Sequence, residues 1–189
     1  MRVVAGTARG RRLLAPDGRE TRPTADRVRE ATFNALGSLD AIDGAVVVDL
    51  FAGSGALGIE ALSRGAAHCT FVEQHRDAVA VIRQNLASTG LADRATVVTA
   101  EVAGWLAARS DRGADRGIDL ALVDPPYRYE SWGALLAALP APLVVVESNR
   151  DIDPPPGWAT LRSRRYGTTV TTFLARDEGS DDDPDPDAP

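Results

Sequence analysis

The chain has 189 residues, 44% of them hydrophobic and 25% charged, enough for one well-packed core with at most a small appendage. No run of about 18 apolar residues exists, and the arginine-rich start lacks a following apolar segment, so neither a membrane span nor a secretory signal is expected and the cytoplasm is the default compartment. One cysteine, Cys69, and two separated histidines, His68 and His75, exclude a disulfide framework and argue against a metal site.

The net charge of -6 is unevenly spread. Residues 177–189 hold seven acids and no base, and without them the body carries 20 acids against 21 bases. Residues 1–30 hold eight arginines against four acids, a local basic patch on a nearly neutral body. All 21 basic residues are arginine. Genome composition accounts for the absence of lysine, but not for the clustering near the start.

In chain order, Arg2–Ala5 and Arg11–Leu14 are short strand candidates. A helix is expected from about Thr24, capped by that residue after Pro23, with Val28, Ala31, Ala35 and Leu39 at helical spacing. Arg22, Arg27 and Arg29 crowd its start, where cations oppose the helix dipole; an anionic ligand would reverse that sign. From residue 45 onward, apolar runs alternate with amphipathic stretches, the pattern of a parallel sheet flanked by helices. Strands are expected at Ala45–Leu50, Cys69–Glu73, Ala95–Thr99, Asp119–Val123 and Leu143–Glu147, and helices at Leu57–Arg64 and Asp77–Thr89, the latter stopped by Gly90. Thr160–Tyr166 and Thr168–Ala175, split by Gly167, predict an antiparallel hairpin at one sheet edge. The acidic residues 177–189 are expected to form a disordered tail.

Two motifs carry chemistry. Asp124-Pro125-Pro126-Tyr127 follows the fourth strand. A planar exocyclic amine delocalises its lone pair into the ring and attacks a methyl donor poorly; two acceptors pulling on its hydrogens localise that pair. The Asp124 carboxylate and the Pro125 carbonyl supply two acceptors, the consecutive prolines stiffen the loop and lack N–H donors, and Tyr127 offers a face for stacking an unpaired base. The bland reading is a rigid turn after a buried strand. The second motif, Asp49-Leu-Phe51-Ala-Gly53-Ser-Gly55-Ala-Leu-Gly58, lies between the first strand and its helix, with Glu73 ending the next strand. Gly53, Gly55 and Gly58 satisfy the dinucleotide pattern, so a dehydrogenase has to be weighed. Asp49 counts against it, because a carboxylate there would face pyrophosphate but could welcome an ammonium group.

Phe-Ala-Gly in this turn resembles the first motif of S-adenosylmethionine-dependent methyltransferases. That resemblance implies that Asp49, Phe51, Gly53 and Gly55 approach the donor, that Glu73 holds its ribose hydroxyls, and that Glu101 and Val102 lie along its adenine. The whole set resembles the bacterial 16S ribosomal RNA guanine-N2 methyltransferases of the RsmD type. It comprises Arg2-Val-Val-Ala-Gly, Arg9-Gly-Arg, Arg22-Pro-Thr-Ala-Asp-Arg-Val-Arg-Glu, the Asp49 turn and Asp124-Pro-Pro-Tyr. The likeness covers residues 1 to about 175 and implies an α/β fold, the Rossmann-like class I methyltransferase architecture, with a seven-stranded mostly parallel sheet and an antiparallel edge hairpin. It further implies S-adenosyl-L-methionine as cofactor and methylation of one guanine, number 966, in 16S rRNA of the small ribosomal subunit or its assembly intermediate. Relatives carry a shorter side chain at Glu101, and the acidic tail has no counterpart in the motifs.

On this reading residues 1–40 form a basic RNA-binding extension of hairpin and helix, 41–176 the methyltransferase domain and 177–189 the tail. Arg9, Arg11, Arg22, Thr24, Arg27, Arg29 and Arg128 are the expected RNA contacts, and a monomer is expected. The alternatives are an adenine-N6 methyltransferase on RNA or DNA, a protein glutamine methyltransferase, and a non-catalytic RNA-binding ribosome assembly factor.

Overall fold

The computed structural model describes residues 1–16, 23–110 and 117–177. The elements in chain order are α1 (Pro23–Ser38), β1 (Val46–Leu50), α2 (Ala56–Ser63), β2 (His68–Glu73), α3 (Arg76–Thr89), β3 (Ala95–Thr99), α4 (Val102–Ser110), β4 (Leu120–Val123), α5 (Trp132–Ala138), β5 (Leu143–Ser148), β6 (Trp158–Tyr166) and β7 (Thr169–Arg176). All seven strands form one sheet in the order β3-β2-β1-β4-β5-β7-β6. β1 to β5 run parallel, while β7 pairs antiparallel with β5 and β6 closes that edge. The expected architecture is therefore present, edge hairpin included.

Alternation along each strand divides the core. Val47, Cys69, Phe71, Leu120, Leu122, Val145 and Phe173 face one side with residues of α1, α2 and α3; Val48, Leu50, Val72, Ala121, Val123, Val144 and Leu174 face the other with residues of α4 and α5. Strands buried on both faces read as continuous apolar runs, which is why β1, β4 and β5 stand out in the sequence. Complete burial of each Leu, Ile or Phe contributes about 1.5–3 kcal/mol. Helix α2 lies very close to β2. A Cβ on Gly58 would stand 2.4 Å from the Phe71 ring and 2.6 Å from the Cys69 sulfur.

The N-terminal segment differs from the expected hairpin. Its ladder is one antiparallel bridge, Arg2 to Arg12, supported by Val3 N–H to the Arg11 carbonyl and Leu13 N–H to the Met1 carbonyl. Side chains hold the rest of it. The buried Glu60 carboxylate of α2 accepts the Val4 and Ala5 N–H groups at 2.8 and 3.0 Å, and Val3, Ala8, Leu13, Phe33 and Leu36 enter the same core as Val47 and Ile59. Too little backbone pairs for strands because Glu60 and Ser63 take up these amides instead. Helices α4 and α5, nine and seven residues long, lie outside the sequence expectations. Among the described residues no helix is long and apolar enough to cross a membrane. The acidic tail beyond Asp177 and Arg22 lie outside the described residues.

Candidate active site

The parallel strands deliver their carboxyl ends to one rim, and the order reverses between β1 and β4, where open α/β sheets bind ligands. Glu73, Asp49 and Glu147 share the strand face of Phe71, Val47 and Val145, and Asp124 follows Val123 in the same alternation. Four neighbouring strands, β2, β1, β4 and β5, thus each bring one acid to this rim.

On the β1–β2 side the acids are buried and tied down. Asp49 is 2% exposed, and its carboxylate accepts the Gly58 N–H at 2.9 Å, fastening the first turn of α2. Burial pushes its pKa well above the usual carboxylate range; Asp124 and Glu73 add to the rise, and the Gly58 hydrogen bond offsets part of it. Glu73 accepts the Gly53 N–H on one oxygen and the His75 N–H on the other, both at 2.9 Å. Each oxygen keeps a lone pair for a ribose hydroxyl. The intervening turn is conformationally demanding: Gly55, at φ 76°, is the N-cap of α2, and Phe51 holds φ 60° without being glycine, a conformation that persists only where surroundings enforce it.

S-adenosylmethionine carries an ammonium and a sulfonium, and the residues present fit it. A buried carboxylate whose charged form is disfavoured, flanked by two further acids, gains from a cation and would repel a pyrophosphate. Asp49, the Gly53–Gly55 turn and Glu73 are the residues that would hold it. Glu101 is exposed and caps α4 by accepting the Gly104 N–H at 2.9 Å, and Val102 is buried against Val72 and Leu106, within the same strand-end region.

On the β4–β5 side the rim is open. Asp124, Pro126, Tyr127 and Arg128 are exposed, Tyr127 at 56%, while Pro125 is buried. The Pro126 carbonyl accepts the Tyr129 N–H at 2.9 Å and closes the loop, so the turn spends that carbonyl and not Pro125's on its own stability. Behind it stands an aromatic chain that the sequence reading missed: Phe51 packs edge-on to Tyr129 at 5.3 Å, and Tyr129 edge-on to Trp132 at 5.1 Å. Burial, with Glu101 nearby, raises the Tyr129 pKa, so the phenol stays protonated. A shallow cleft is lined by Pro125, Pro126, Tyr127, Tyr129, Trp132 and residues 147–150. Its signal in the sequence was the polar Glu147-Ser-Asn-Arg150 run ending an apolar strand.

The arginines divide. Arg9, Arg11, Arg27 and Arg128 are exposed and available to an anionic partner. Arg29 is 3% exposed: it pairs with Asp26 at 2.9 Å, approaches Glu60 at 3.7 Å and donates to the Arg2 carbonyl. The expectation that Arg29 grips RNA is therefore corrected; helical spacing turns it inward, where it ties α1 to the N-terminal segment and α2. Thr24 lies in the first turn of α1, which begins at Pro23, rather than at a cap before the helix.

Architecture and site together define a class I methyltransferase, the Rossmann-like class that uses S-adenosylmethionine. The family model described as conserved hypothetical protein 95 matches residues 1–175. The Bacillus subtilis protein YlbH is 40% identical over 181 residues, covering 89% of this chain and 95% of that protein. Escherichia coli ribosomal RNA small subunit methyltransferase D is 44% identical over 128 residues, 68% of this chain and 61% of that protein. The solved structure of the Escherichia coli protein yhhF superposes with a TM-score of 0.77 at 34% identity, covering 93% of this chain and 97% of the other. The chain belongs to this family, that of the small subunit methyltransferases D.

Proposed function

We propose that this protein transfers a methyl group from S-adenosylmethionine to the exocyclic N2 amine of one guanine, position 966, in 16S rRNA within the small ribosomal subunit or its assembly intermediate. The observation that carries this reading is the exposed Asp124–Tyr127 rim set beside the buried Asp49 and Glu73 carboxylates across the β1/β4 reversal. Family membership supports a ribosomal RNA substrate, the Escherichia coli relative being a ribosomal RNA small subunit methyltransferase.

The donor, when bound, supplies a methyl group made electrophilic by its sulfonium. The chain's own residues do the rest. The Asp124 carboxylate and the Pro125 carbonyl accept the two amine hydrogens, localising the nitrogen lone pair, and Tyr127 stacks on the base lifted out of its helix. Asp124 would take the amine proton that methylation releases. Rate is gained mainly from positioning and from this polarisation. Exposed Arg9, Arg11, Arg27 and Arg128 contact phosphates around the target, together with Arg22 and the Thr24 turn, and the protein acts as a monomer in the cytoplasm.

The test is to incubate the protein and labelled donor with unmethylated small subunits and to map the modified nucleotide. Label on the N2 of a single 16S guanine is the expected result. Label on adenine, on DNA or on protein overturns it.

A further inference from the structure

The edge hairpin has no part in the chemistry above, yet one end of it reaches the same rim. β6 runs in the direction of β5, and the register aligns Glu147 with Thr171 and Thr171 with Arg164. β4 and β5 pair up to Val123 and Val146, so Asp124 falls on the same line. Three strand spacings, about 14 Å in all, then separate Arg164 from the Asp124 loop.

Charge on the hairpin is one-sided. Residues 154–176 hold four arginines and no acid. Arg176 is committed to the fold, donating to the Leu139 carbonyl and lying over the Trp158 ring at 4.7 Å. Arg165 pairs with Asp151 at 3.1 Å. Arg162 and Arg164 are exposed, and among the described residues neither side chain has an ion-pair or hydrogen-bond partner. Two residues apart, they share one face of the strand, opposite the uncharged Phe173 and Thr171.

A bulge brings them there. β6 advances two residues from Thr160 to Arg162 while β7 advances one, so Leu161 is the extra residue, 54% exposed. In unbroken register Arg162 and Arg164 would pair with Thr172 and Val170 and stand on the other face. As built, they share the face of Phe173, which α1 and the N-terminal segment cover. Arg29 of α1 acts electrostatically on Glu147, which sets the first half of that helix, with exposed Arg27, near the same line. Charged side chains guard an exposed sheet edge against pairing with another strand. Two cations of one face with no acid opposite nevertheless repel each other, and an anion between them reverses that sign.

We propose that β6 is a second RNA-binding surface, with Arg162 and Arg164 gripping backbone phosphates beside the target nucleotide. This rests on the ribosomal RNA reading above and extends it from the N-terminal arginines to the far edge of the sheet. Guanidinium groups take phosphate bidentately, and such contacts position the RNA without reading its sequence.

The test measures the affinity of the full-length protein for unmethylated small subunits across a salt series, normalised to the fraction of protein that binds donor so that misfolded material drops out. Arg162→Ala/Arg164→Ala should lower the slope of log affinity against log salt by about two, with donor affinity unchanged. Arg162→Lys/Arg164→Lys keeps both charges and should keep the slope. Arg83→Ala, on the exposed side of α3 above β2 and β3, removes a charge elsewhere and should leave the slope alone. An unchanged slope in the double alanine variant overturns the surface and leaves the methyl-transfer reading standing. A fall per charge as large in Arg83→Ala also overturns it, because net charge would then suffice. A wild-type protein that methylates no RNA of the subunit overturns the underlying reading instead.

Discussion

The two halves of the rim are built on opposite terms. On the β1–β2 half, Asp49 and Glu73 are buried and each is already held by backbone N–H groups, so the cradle is rigid before any ligand arrives. On the β4–β5 half, Asp124, Pro126 and Tyr127 stand exposed beside a shallow cleft in which the buried Trp132 indole N–H has no partner among the described residues. A small ligand can be enclosed by one chain alone, and preorganisation lowers the cost of binding it. A base presented by a large folded RNA cannot be enclosed in advance; the partner must supply the cover. The contrast teaches that, on the proposed reading, the donor half is preorganised by this chain and the acceptor half is covered by its substrate.

Breaking each half should therefore have different signatures. The largest effect is expected from Asp124→Ala, which should lower kcat by about 10²- to 10⁴-fold in single-turnover methyl transfer while leaving donor affinity and Tm unchanged, since the side chain is exposed. A matching fall in Tm would make the loop architectural instead. Arg29→Ala should act on stability: it strands the buried Glu60 with one fewer cation, at a cost of about 3–5 kcal/mol measured by denaturant unfolding. Glu73→Ala should weaken donor binding by about 1.5–3 kcal/mol in calorimetry, because a charged acceptor is lost, with RNA affinity untouched. Arg27→Ala, on the exposed side of the same helix as Arg29, should leave Tm alone. It should reduce the slope of log affinity for small subunits against log salt by about one.

The smallest effect is a pH drift. Glu147 has its pKa pushed up to about 8, by burial first and then by Asp124, with Arg29 lowering it and Asp49 raising it. A carboxyl raised in the folded state holds its proton more tightly there than in the unfolded chain. Its stabilising contribution is complete below about 4.5 and is lost as pH rises toward about 8. Tm should fall across that window in the wild type and fall less in Glu147→Gln. Identical slopes in the two proteins would mean that Glu147 ionises normally.

Much of the fold was legible in the residues. β1, β4 and β5 are apolar runs bounded by polar or turn residues, and Gly90 closes α3 at φ 72° as its position after Thr89 indicates. α4 and α5 were not legible, because nine and seven residues give too few turns for an apolar periodicity to register. Glu60 was missed for another reason. It reads as an ordinary surface acid of a helix, and its burial follows only from Val4, Ala5, Arg29 and Arg64 converging on it from other parts of the chain.

The sequence by itself determined the chemistry available to this protein: the Asp49 glycine turn, Glu73 and Asp124-Pro-Pro-Tyr are local runs whose residue types limit what they can bind. Tertiary structure decided which of those residues meet and which are spent on the fold. Arg27 and Arg29 differ little as letters, yet one faces solvent and the other is locked against Asp26 and Glu60. Glu147 comes beside Asp124 and Thr171 only because β5 pairs with β4 on one side and β7 on the other. Those pairings join residues far apart in the chain, and no local pattern records which strands will become neighbours.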